Sequence, residues 1–530
     1  MACRFGPRSA LKTLGEIVRR FRRLPPLEPR LQSEALSDTE DTRLGRSIEQ
    51  EAAARPGLSG IHLLADAHQA FAARILLARA AERSLDVQYY IWRGDLSGML
   101  MLEALREAAD RGVRVRLLLD DNGIAGLDNL LAALDVHPMI EVRLFNPFFV
   151  RRPKALGYLT DFKRLNRRMH NKSFTADSQA TIIGGRNVGD EYFAARDGDL
   201  FADLDVLAIG AVVNDVSSDF DRYWNCASAW PATRVLPVVG IEQLEELAQR
   251  SAAVHADPRA HSYVETVRSL PFITDMLSGS LPFIWAPVRM VSDDPAKVLD
   301  KAKPGTSLSD QLQEAIGRPS REMGLVSAYF VPTAAGVEAF AALSRENIKV
   351  SVLTNALEST DVAIVHAGYA KRREALIRAG VRLYEMRRPR AGTRRKRRLP
   401  LGVGGSGAKS VTGSILRSSG SMLHAKTFTV DRARLFVGSF NFDPRSLHLN
   451  TELGFVIECP ELAADVQDAF ENPIPMTAYE VTLSDKGRLR WIEREDEGDE
   501  IEIHDVEPGT TRLQRLAIRV LSRLPIEWLL

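Results

Sequence analysis

One pattern occurs twice in this chain, at residues 170–187 and 424–441, and it constrains the fold more than any other feature. It reads His, any residue, Lys, four residues, Asp, six residues, Gly, Gly or Ser, any residue, Asn. The first copy comprises His170, Lys172, Asp177, Gly184, Gly185 and Asn187, and the second His424, Lys426, Asp431, Gly438, Ser439 and Asn441. A match at all these positions arises by chance about once in 10⁸ windows, so the repeat predicts a chain of two related halves.

Each copy of the pattern predicts a hairpin-like pair of strands. Apolar and polar residues alternate through MHNKSFTAD and LHAKTFTVD, and a short apolar run precedes the glycines. Since residues i and i+2 of a strand share a face, we expect His170 and Lys172 to point the same way, and likewise His424 and Lys426. The glycines would let the backbone approach a ligand, to which the closing asparagine would donate hydrogen bonds.

The repeat extends into the segments that precede the motifs. The matched pairs are LDVQYYIWRGD (85–95) with LVSAYFVPT (325–333), GVRVRLLLDDNG (112–123) with NIKVSVLTNALES (347–359), and IEVRLFNP (140–147) with GVRLYEM (380–386). In each half a strand is followed by an amphipathic helix and another strand, which is typical of parallel β-α-β units. We therefore predict an α/β fold of two duplicated domains, with mixed or parallel sheets flanked by helices, related by a pseudo-two-fold axis with the active site at the seam.

The residue types of the doubled pattern suit an anionic tetrahedral group, a phosphodiester. The lysines and asparagines would hold the phosphoryl oxygens and stabilise a five-coordinate transition state. One neutral histidine could attack phosphorus to form a phosphohistidine, while the other, protonated, could donate to the leaving oxygen and then deprotonate the acceptor. A metal site is the alternative interpretation of paired His and Asp. Because a lysine beside each histidine would repel a divalent cation, we expect no metal and no cofactor.

These motifs resemble those of the phospholipase D superfamily, which is named for His-Lys-Asp. The runs RRMHNKSFTADSQATIIGGRNVGDEYF, FADLDVLAIG and SFNFDPRSLHLNTELGF are most similar to bacterial cardiolipin synthases of the C type, and the likeness covers roughly residues 60–530. The resemblance implies two phospholipase D-like domains and transfer of a phosphatidyl group onto phosphatidylglycerol, with phosphatidylethanolamine or a second phosphatidylglycerol as donor. A hydrolytic phosphodiesterase acting on lipid or nucleic acid is the first alternative, and a noncatalytic membrane-binding scaffold is the second.

The resemblance also implies roles for individual residues. It makes His170 the nucleophile and His424 the general acid and base, although the symmetry allows the reverse. An acidic residue commonly orients each histidine ring, and Glu452 fits this role in the second half. Asp203 is its counterpart in the first half, with the neighbouring Asp205 as the alternative.

The remaining motif residues divide into two groups. The catalytic set implied by the motif is His170, Lys172, Asp177, His424, Lys426 and Asp431, although we expect the two aspartates to brace the strand turns. The phosphate-binding set is Asn187, Asn441, Gly184, Gly185, Gly438 and Ser439.

Domain boundaries follow from the repeat and from shifts in composition. We predict a basic amphipathic N-terminal segment (1–55), a first domain (56–232), a helical connector (233–282), a second domain (283–475) that contains a basic, Gly/Ser-rich loop (387–421), and a C-terminal hairpin with an amphipathic helix (476–530).

A formal net charge of +1 hides strong local asymmetry. Residues 1–31 carry eight basic side chains against Glu16 and Glu28, and leucines and arginines form separate stripes along 512–524. Both ends are predicted to contact an anionic membrane surface, the alternatives being a disordered tail and a helix docked on the core. The arginine and lysine run at 394–398 could gather lipid headgroups, bind nucleic acid or keep a loop solvated.

No stretch of the sequence predicts a transmembrane helix, and the three cysteines are scattered and odd in number. Scattered cysteines favour a reducing compartment. We therefore expect a peripheral enzyme on the cytoplasmic side of the bacterial inner membrane, with phospholipids as its substrates and no obligatory nucleic acid. Any partner protein stays open.

Overall fold

The computed structural model of the chain describes residues 24–196, 200–240, 256–388, 421–494, 501–525 and 527–530, with positions 242, 243, 245 and 249. Two large mixed sheets dominate these residues, with helices packed against them. Residues 1–23 of the predicted basic N-terminal segment (1–55) and the run at 394–398 lie outside the described residues.

The first sheet belongs to the first half of the chain. Its strands are β1 (Ser59–Leu64), β2 (Ser84–Ile91), β3 (Arg114–Gly123), β4 (Ile140–Phe145), β5 (Ser173–Ala176), β6 (Ala180–Gly184), β8 (Asp205–Gly210), β9 (Ala229–Pro231) and β10 (Ile284–Ala286). Their order across the sheet is β10-β1-β8-β6-β5-β2-β3-β4-β9. Neighbours β2, β3 and β4 run parallel, and the other pairs are antiparallel.

The second sheet repeats this arrangement. Its strands are β11 (Val288–Ser292), β12 (Glu322–Ser327), β13 (Lys349–Asn355), β14 (Arg382–Met386), β16 (Lys426–Val430), β17 (Arg434–Gly438), β18 (Leu453–Glu458), β19 (Ala478–Leu483), β20 (Leu489–Arg494) and β21 (Ile501–His504). Their order is β11-β18-β17-β16-β12-β13-β14-β19-β20-β21, in which β12, β13 and β14 are parallel. The run β18 to β14 matches β8 to β4 of the first sheet strand for strand, so the predicted duplicated α/β fold is confirmed.

The helices cover the sheets and carry the connections. They are α1 (Arg43–Ala53), α2 (Ala67–Ala80), α3 (Leu96–Asp110), α4 (Asp128–Leu134), α5 (Ala155–Leu165), α6 (Asp190–Phe193), α7 (Val212–Trp224), α8 (Ala232–Val235), α9 (Pro258–Arg268), α10 (Pro271–Leu277), α11 (Leu308–Ile316), α12 (Thr333–Arg345), α13 (Ala363–Ala370), α14 (Arg373–Arg378), α15 (Pro444–His448), α16 (Pro460–Asp468), α17 (Pro473–Thr477) and α18 (Arg512–Leu521), with 3₁₀ turns at Pro295–Leu299 and Glu527–Leu529. Within the described ranges, no helix is long and apolar enough to cross a bilayer.

Local sequence explains where α3 begins and which face it buries. The side chain of Asp95 caps the helix by accepting a hydrogen bond from the backbone N–H of Gly98. Leu102 and Leu105 then recur at helical spacing and are buried in the core of the first half. The helix therefore buries this face in the core of the first half.

Both predicted hairpins are present, β5 with β6 and β16 with β17. The boundary differs from the prediction in one respect. Strand β5 begins at Ser173, so His170 and Lys172 precede it, whereas Lys426 is the first residue of β16. The chain before each strand has left its own sheet because it bonds to the other half of the molecule.

Short backbone pairings join the halves at the seam. Strand β7 (Leu200–Ala202) of the first half runs parallel to β15 (Ser421–Leu423), which leads directly into His424. Met169 forms an isolated bridge with Thr451 of the second half. A buried apolar cluster that includes Ile183 from the first half and Val437 and Phe455 from the second packs between the sheets. The seam is thus continuous in both backbone and core.

The C-terminal region differs in part from the predicted hairpin and helix. Three strands, β19 to β21, are present, and they extend the second sheet beyond β14. Helix α18 is confirmed, and Ile518 on its inner face packs with Leu357 and Ala367. Much of the predicted apolar stripe on α18 faces solvent.

Candidate active site

His170 lies at the seam, immediately before β5, and is positioned by the other half of the molecule. Its backbone N–H donates to the carbonyl oxygen of Thr451 at 2.8 Å. Its ring atom Nδ1 lies 2.8 Å from Oε2 of Glu452, and both side chains are buried. A carboxylate that accepts from Nδ1–H leaves the lone pair on Nε2, which makes Nε2 the nucleophilic atom of this ring.

His424 occupies the matching position before β16. Its backbone N–H donates to the carbonyl oxygen of Ala202 at 2.8 Å, and its Nδ1 lies 2.5 Å from Oδ2 of Asp203. The carboxylate is fully buried, as is nearly all of the ring. The same tautomer is favoured here, with Nε2 as the atom that can exchange a proton.

Each histidine is paired with the carboxylate from the opposite half of the chain, which differs from the pairing expected from the sequence. The sequence assigns Glu452 to the second half and Asp203 to the first, yet each carboxylate contacts the histidine of the opposite half. The backbone pairings at the seam produce this arrangement. Asp203 directly follows β7, which pairs with the strand before His424, and Glu452 directly follows Thr451, which bridges to Met169 beside His170. Asp205, the alternative to Asp203, instead pairs with the buried Arg74 at 2.8 Å.

Both lysines fold back onto the histidines. Lys172 Nζ donates to the carbonyl oxygen of His170, and Lys426 Nζ donates to that of His424. Lys426 Nζ also lies 2.8 Å from Nδ1 of His424. The two lysine side chains are buried, so their charges act in a medium of low polarity.

Burial and neighbouring charges shift the pKa values of the site. Burial, followed by the lysine charges, lowers the pKa of His170 to about 4 even though Glu452 opposes the shift. The pKa of His424 is lowered by burial and by Lys426. Burial also lowers the pKa of Lys172 to about 7. Both imidazoles are therefore neutral at neutral pH before a substrate binds.

The two carboxylates stay ionised in spite of their burial. Burial alone would raise the pKa of Asp203, but the charge of Lys426 and the hydrogen bond from His424 outweigh it and leave that pKa lowered. The pKa of Glu452 is lowered in the same way, because its interactions with His170 and Lys172 outweigh the effect of burial. With neutral histidines, the two lysines face the two carboxylates, and Lys172 carries only part of its charge at neutral pH because its pKa is lowered to about 7.

The motif aspartates lie at the far ends of their hairpins, away from the histidines. Asp177 accepts hydrogen bonds from the backbone N–H groups of Glu82, Arg83 and Ser84, at 2.8–2.9 Å. Asp431 binds the backbone of 320–322 in the same way. These contacts match the bracing expected from the sequence and do not support the catalytic grouping.

The motif residues Gly185, Gly438 and Ser439 pack against the two carboxylates or against the strand behind them. A Cβ atom on Gly185 would overlap the carboxylate of Asp203, and one on Gly438 would overlap the backbone of β18. Ser439 Oγ donates to Oε2 of Glu452 at 2.5 Å. These contacts place the three residues behind the histidines, so their predicted binding of phosphate stays a prediction.

The motif asparagines lie under the site with different contacts. Asn187 accepts from the backbone N–H of Ile91 at 3.1 Å and donates to the Tyr192 hydroxyl at 3.0 Å. Asn441 is buried, and its Oδ1 has no hydrogen-bond partner among the described residues.

Aromatic residues line both histidines and were not identified from the sequence. The ring of Tyr90 packs edge-on against His170 with centroids 5.1 Å apart, while Tyr192 and Phe201 pack on His424 at 5.2 and 5.0 Å. The position of Tyr90 near His170 is explained by strand pairing, since β2 pairs with β5 beside the first motif. Tyr192 and Phe201 reach His424 only across the seam, which local pattern does not reveal.

Comparisons with known proteins agree with this architecture. Residues 75–224 and 312–474 match the family described as "Cardiolipin synthase, PLD-like domain". Cardiolipin synthase C of Escherichia coli (strain K12) is 47% identical over 490 residues, which cover 92% of this chain and 100% of that protein. Cardiolipin synthase B of the same strain is 23% identical over 431 residues, or 81% of this chain and 84% of that protein.

A solved structure also shares the fold. The crystal structure of phosphatidylserine synthase from Haemophilus influenzae Rd KW20 superposes with a TM-score of 0.54, covering 92% of this chain and 100% of that chain at 13% sequence identity. The family match takes in both halves with both motifs, and the first relative is matched along its whole length. The chain therefore belongs to the cardiolipin synthase family with PLD-like domains.

Proposed function

We propose that this protein is a phosphatidyltransferase that forms cardiolipin from phosphatidylglycerol through a phosphohistidine intermediate. One observation carries the proposal: two buried imidazoles, each bonded through Nδ1 to a carboxylate and each beside a lysine, meet at one seam within a single chain. Family membership points to the same chemistry. The chain itself supplies both halves of the site.

The first step exchanges the headgroup of the donor lipid for a histidine. Nε2 of His170 attacks phosphorus, and a P–N bond forms as the P–O bond to the headgroup breaks. His424, protonated on Nε2, gives its proton to the leaving oxygen, which departs as an alcohol. Lys172 and Lys426 stabilise the charge that gathers on the phosphoryl oxygens.

The second step reverses these roles. His424, now neutral, removes a proton from a phosphatidylglycerol hydroxyl, and that oxygen attacks phosphorus. The P–N bond breaks, cardiolipin leaves, and His170 regains its lone pair, while His424 holds the proton taken from the acceptor until the product has left. Water at the acceptor position would instead yield phosphatidic acid, so exclusion of water separates transfer from hydrolysis.

Charge balance supports the unequal roles of the histidines. The negative charge of a bound phosphodiester favours uptake of a proton by the buried cluster. Burial and Lys426 lower the pKa of His424, and the phosphodiester would raise it. Substrate binding thereby prepares the general acid that the first step requires.

The surroundings of His424 favour phosphatidylethanolamine as the donor. Asp361 is exposed and accepts a hydrogen bond from the Tyr329 hydroxyl at 2.8 Å. Burial lowers the pKa of His424, and the charge of Asp361 works against that shift across the site. Asp361 is close enough for its charge to act on both Tyr192 and His424, and a carboxylate at that position suits an ammonium group on the leaving alcohol.

The test is incubation of the full chain with phosphatidylglycerol vesicles, with and without phosphatidylethanolamine, followed by lipid mass spectrometry. We expect cardiolipin to form faster with both lipids, and Asp361→Asn to slow only the phosphatidylethanolamine-dependent rate, by about tenfold. His170→Ala should abolish turnover, whereas the exposed His448→Ala serves as its matched control. Phosphatidic acid as the sole lipid product would overturn the proposal.

A further inference from the structure

Helix α5 exposes large apolar side chains to solvent. The side chain of Leu159 is 82% exposed, and Leu156 and Phe162 are 48% and 46% exposed. Phe149, in the loop before the helix, adds a fourth at 38%. Apolar residues gathered on one surface of a soluble domain mark a contact with another molecule or a membrane.

The inner face of α5 connects this surface to the candidate active site. The Tyr158 hydroxyl donates to Asn122 Oδ1 at 3.0 Å, and Asn122 Nδ2 donates to the Tyr90 hydroxyl at 3.3 Å. Tyr90 packs directly on the ring of His170. Two side chains in contact, those of Asn122 and Tyr90, therefore separate Tyr158 of α5 from the proposed nucleophile.

A second exposed apolar strip lies on α18. Leu513 is 78% exposed, and Leu516 and Val520 are each 54% exposed, while Ile518 on the opposite face packs onto the second half. Helix α18 therefore packs on the second half through one side, and the apolar side chains of its other side are exposed to solvent. Arg512, Arg519 and Arg523 flank the exposed strip.

Arg445 contacts both the end of α5 and the C-terminal residues that follow α18. Arg445, in α15 just after the second motif, donates to Asn166 Oδ1 at 2.9 Å at the end of α5. The backbone N–H of Arg445 donates to the carbonyl oxygen of Leu530 at 2.7 Å. Leu530 in turn packs near Gly368 of α13, the helix that holds α18. Contacts through Arg445 and Leu530 thus connect the end of α5 with the helix that packs on α18.

The charge around these strips complements an anionic lipid surface. Arg152 and Lys163 are exposed beside the apolar side chains of α5, and the other basic residues of 151–168 are less exposed and paired with carboxylates. Helix α18 carries exposed arginines and no acidic residue. Arginine and lysine beside apolar side chains favour the boundary between anionic headgroups and acyl chains.

We propose that α5 and α18 form an interfacial surface that inserts into an anionic phospholipid bilayer beside the mouth of the active site. The inference rests on the proposed function, since a site for lipid phosphodiesters needs a route to lipid in a membrane. The exposed side chains of α5 lie among the acyl chains, and the basic residues lie at the headgroups. Lipid then enters past α5 toward His170.

The test compares binding of full-length variants to vesicles of phosphatidylglycerol and phosphatidylcholine. The triple variant Leu156→Ser/Leu159→Ser/Phe162→Ser should bind these vesicles at least about tenfold more weakly than the unmodified chain. Val238→Ser/Leu277→Ser is the matched control, because those side chains are 95% and 72% exposed outside the surface. Equal vesicle binding by the triple variant and the control would overturn the proposal.

Two further measurements keep this test separate from the proposed function. Water-soluble short-chain phosphatidylglycerol and phosphatidylethanolamine should be turned over equally by the triple variant and the unmodified chain; no turnover by either protein would count against the function, not the surface. A Leu159→Trp variant should show fluorescence quenched by brominated acyl chains. Absence of quenching, or a dimer that the triple variant dissociates, would overturn the membrane assignment.

Discussion

At the scale of residues, the site depends on contacts that cross between the halves. Glu452 and His170 are 282 positions apart, and Asp203 and His424 are 221 apart. Each carboxylate fixes a proton on Nδ1 and leaves Nε2 facing the reacting group. The motif residues were predictable because their spacing repeats, but the pairing was not, since nothing local to Glu452 specifies which histidine it meets.

The lowered pKa of His170 leads to a pH prediction. Burial and the lysine charges lower this pKa to about 4, so the nucleophile loses its proton well below the ordinary range and stays neutral as the pH falls. The pKa values of Glu452 and Asp203 are also lowered, so both carboxylates remain ionised. At about pH 5.5, kcat/KM should be no lower than at neutral pH, because His170 stays neutral and His424 gains its proton more readily, whereas a nucleophile of ordinary imidazole pKa would retain about a tenth of its neutral form.

The measurement is kcat/KM for short-chain phosphatidylglycerol across the acid range. Short-chain substrate removes any effect of pH on vesicle binding, and unfolding monitored at each pH identifies loss of structure. An acid limb near the ordinary histidine pKa would contradict the buried, lysine-flanked environment of His170.

At the scale of elements, most strands were predictable from the sequence, whereas the exposed faces of the covering helices were not. Alternation and repetition predicted both hairpins and the three parallel strands of each half, because these features are local. The exposure of the apolar side chains of α5 was not predicted, because the local sequence does not specify whether leucines such as Leu156 and Leu159 are buried or exposed. The strand boundary at Ser173 differed because the chain before it bonds to Thr451.

The motif aspartates belong to this scale, since they hold the hairpin turns. Asp177→Ala removes the acceptor for three backbone N–H groups and should lower the free energy of unfolding by about 3 kcal/mol. Asp177→Asn keeps one acceptor and should lose about half as much. Chemical denaturation of both variants provides the measurement.

Turnover by the folded fraction gives the control for this assignment. Because Asp177 contacts backbone and not the histidines, kcat of the folded Asp177→Ala protein should stay within a few-fold of the original. A large loss of kcat with unchanged stability would return Asp177 to the catalytic group.

At the scale of the whole molecule, duplication creates one site from two half-sites. The repeated strand order positions each motif alike, and the pairing of β7 with β15 brings the halves together just before His424. Symmetry in the backbone coexists with asymmetry in the side chains, since Tyr90 covers one histidine while Tyr192 and Phe201 cover the other. Such asymmetry suits two histidines with different tasks.

The most direct test of phosphatidyl transfer at this seam is lipid mass spectrometry after turnover in ¹⁸O-labelled water. Vesicles of phosphatidylglycerol and phosphatidylethanolamine are incubated with the full chain, and the oxygen content of each product is measured. Transfer between lipids predicts cardiolipin without ¹⁸O, because a lipid hydroxyl resolves the phosphohistidine. Phosphatidic acid that carries ¹⁸O in place of cardiolipin would contradict the account, because it would show water as the acceptor.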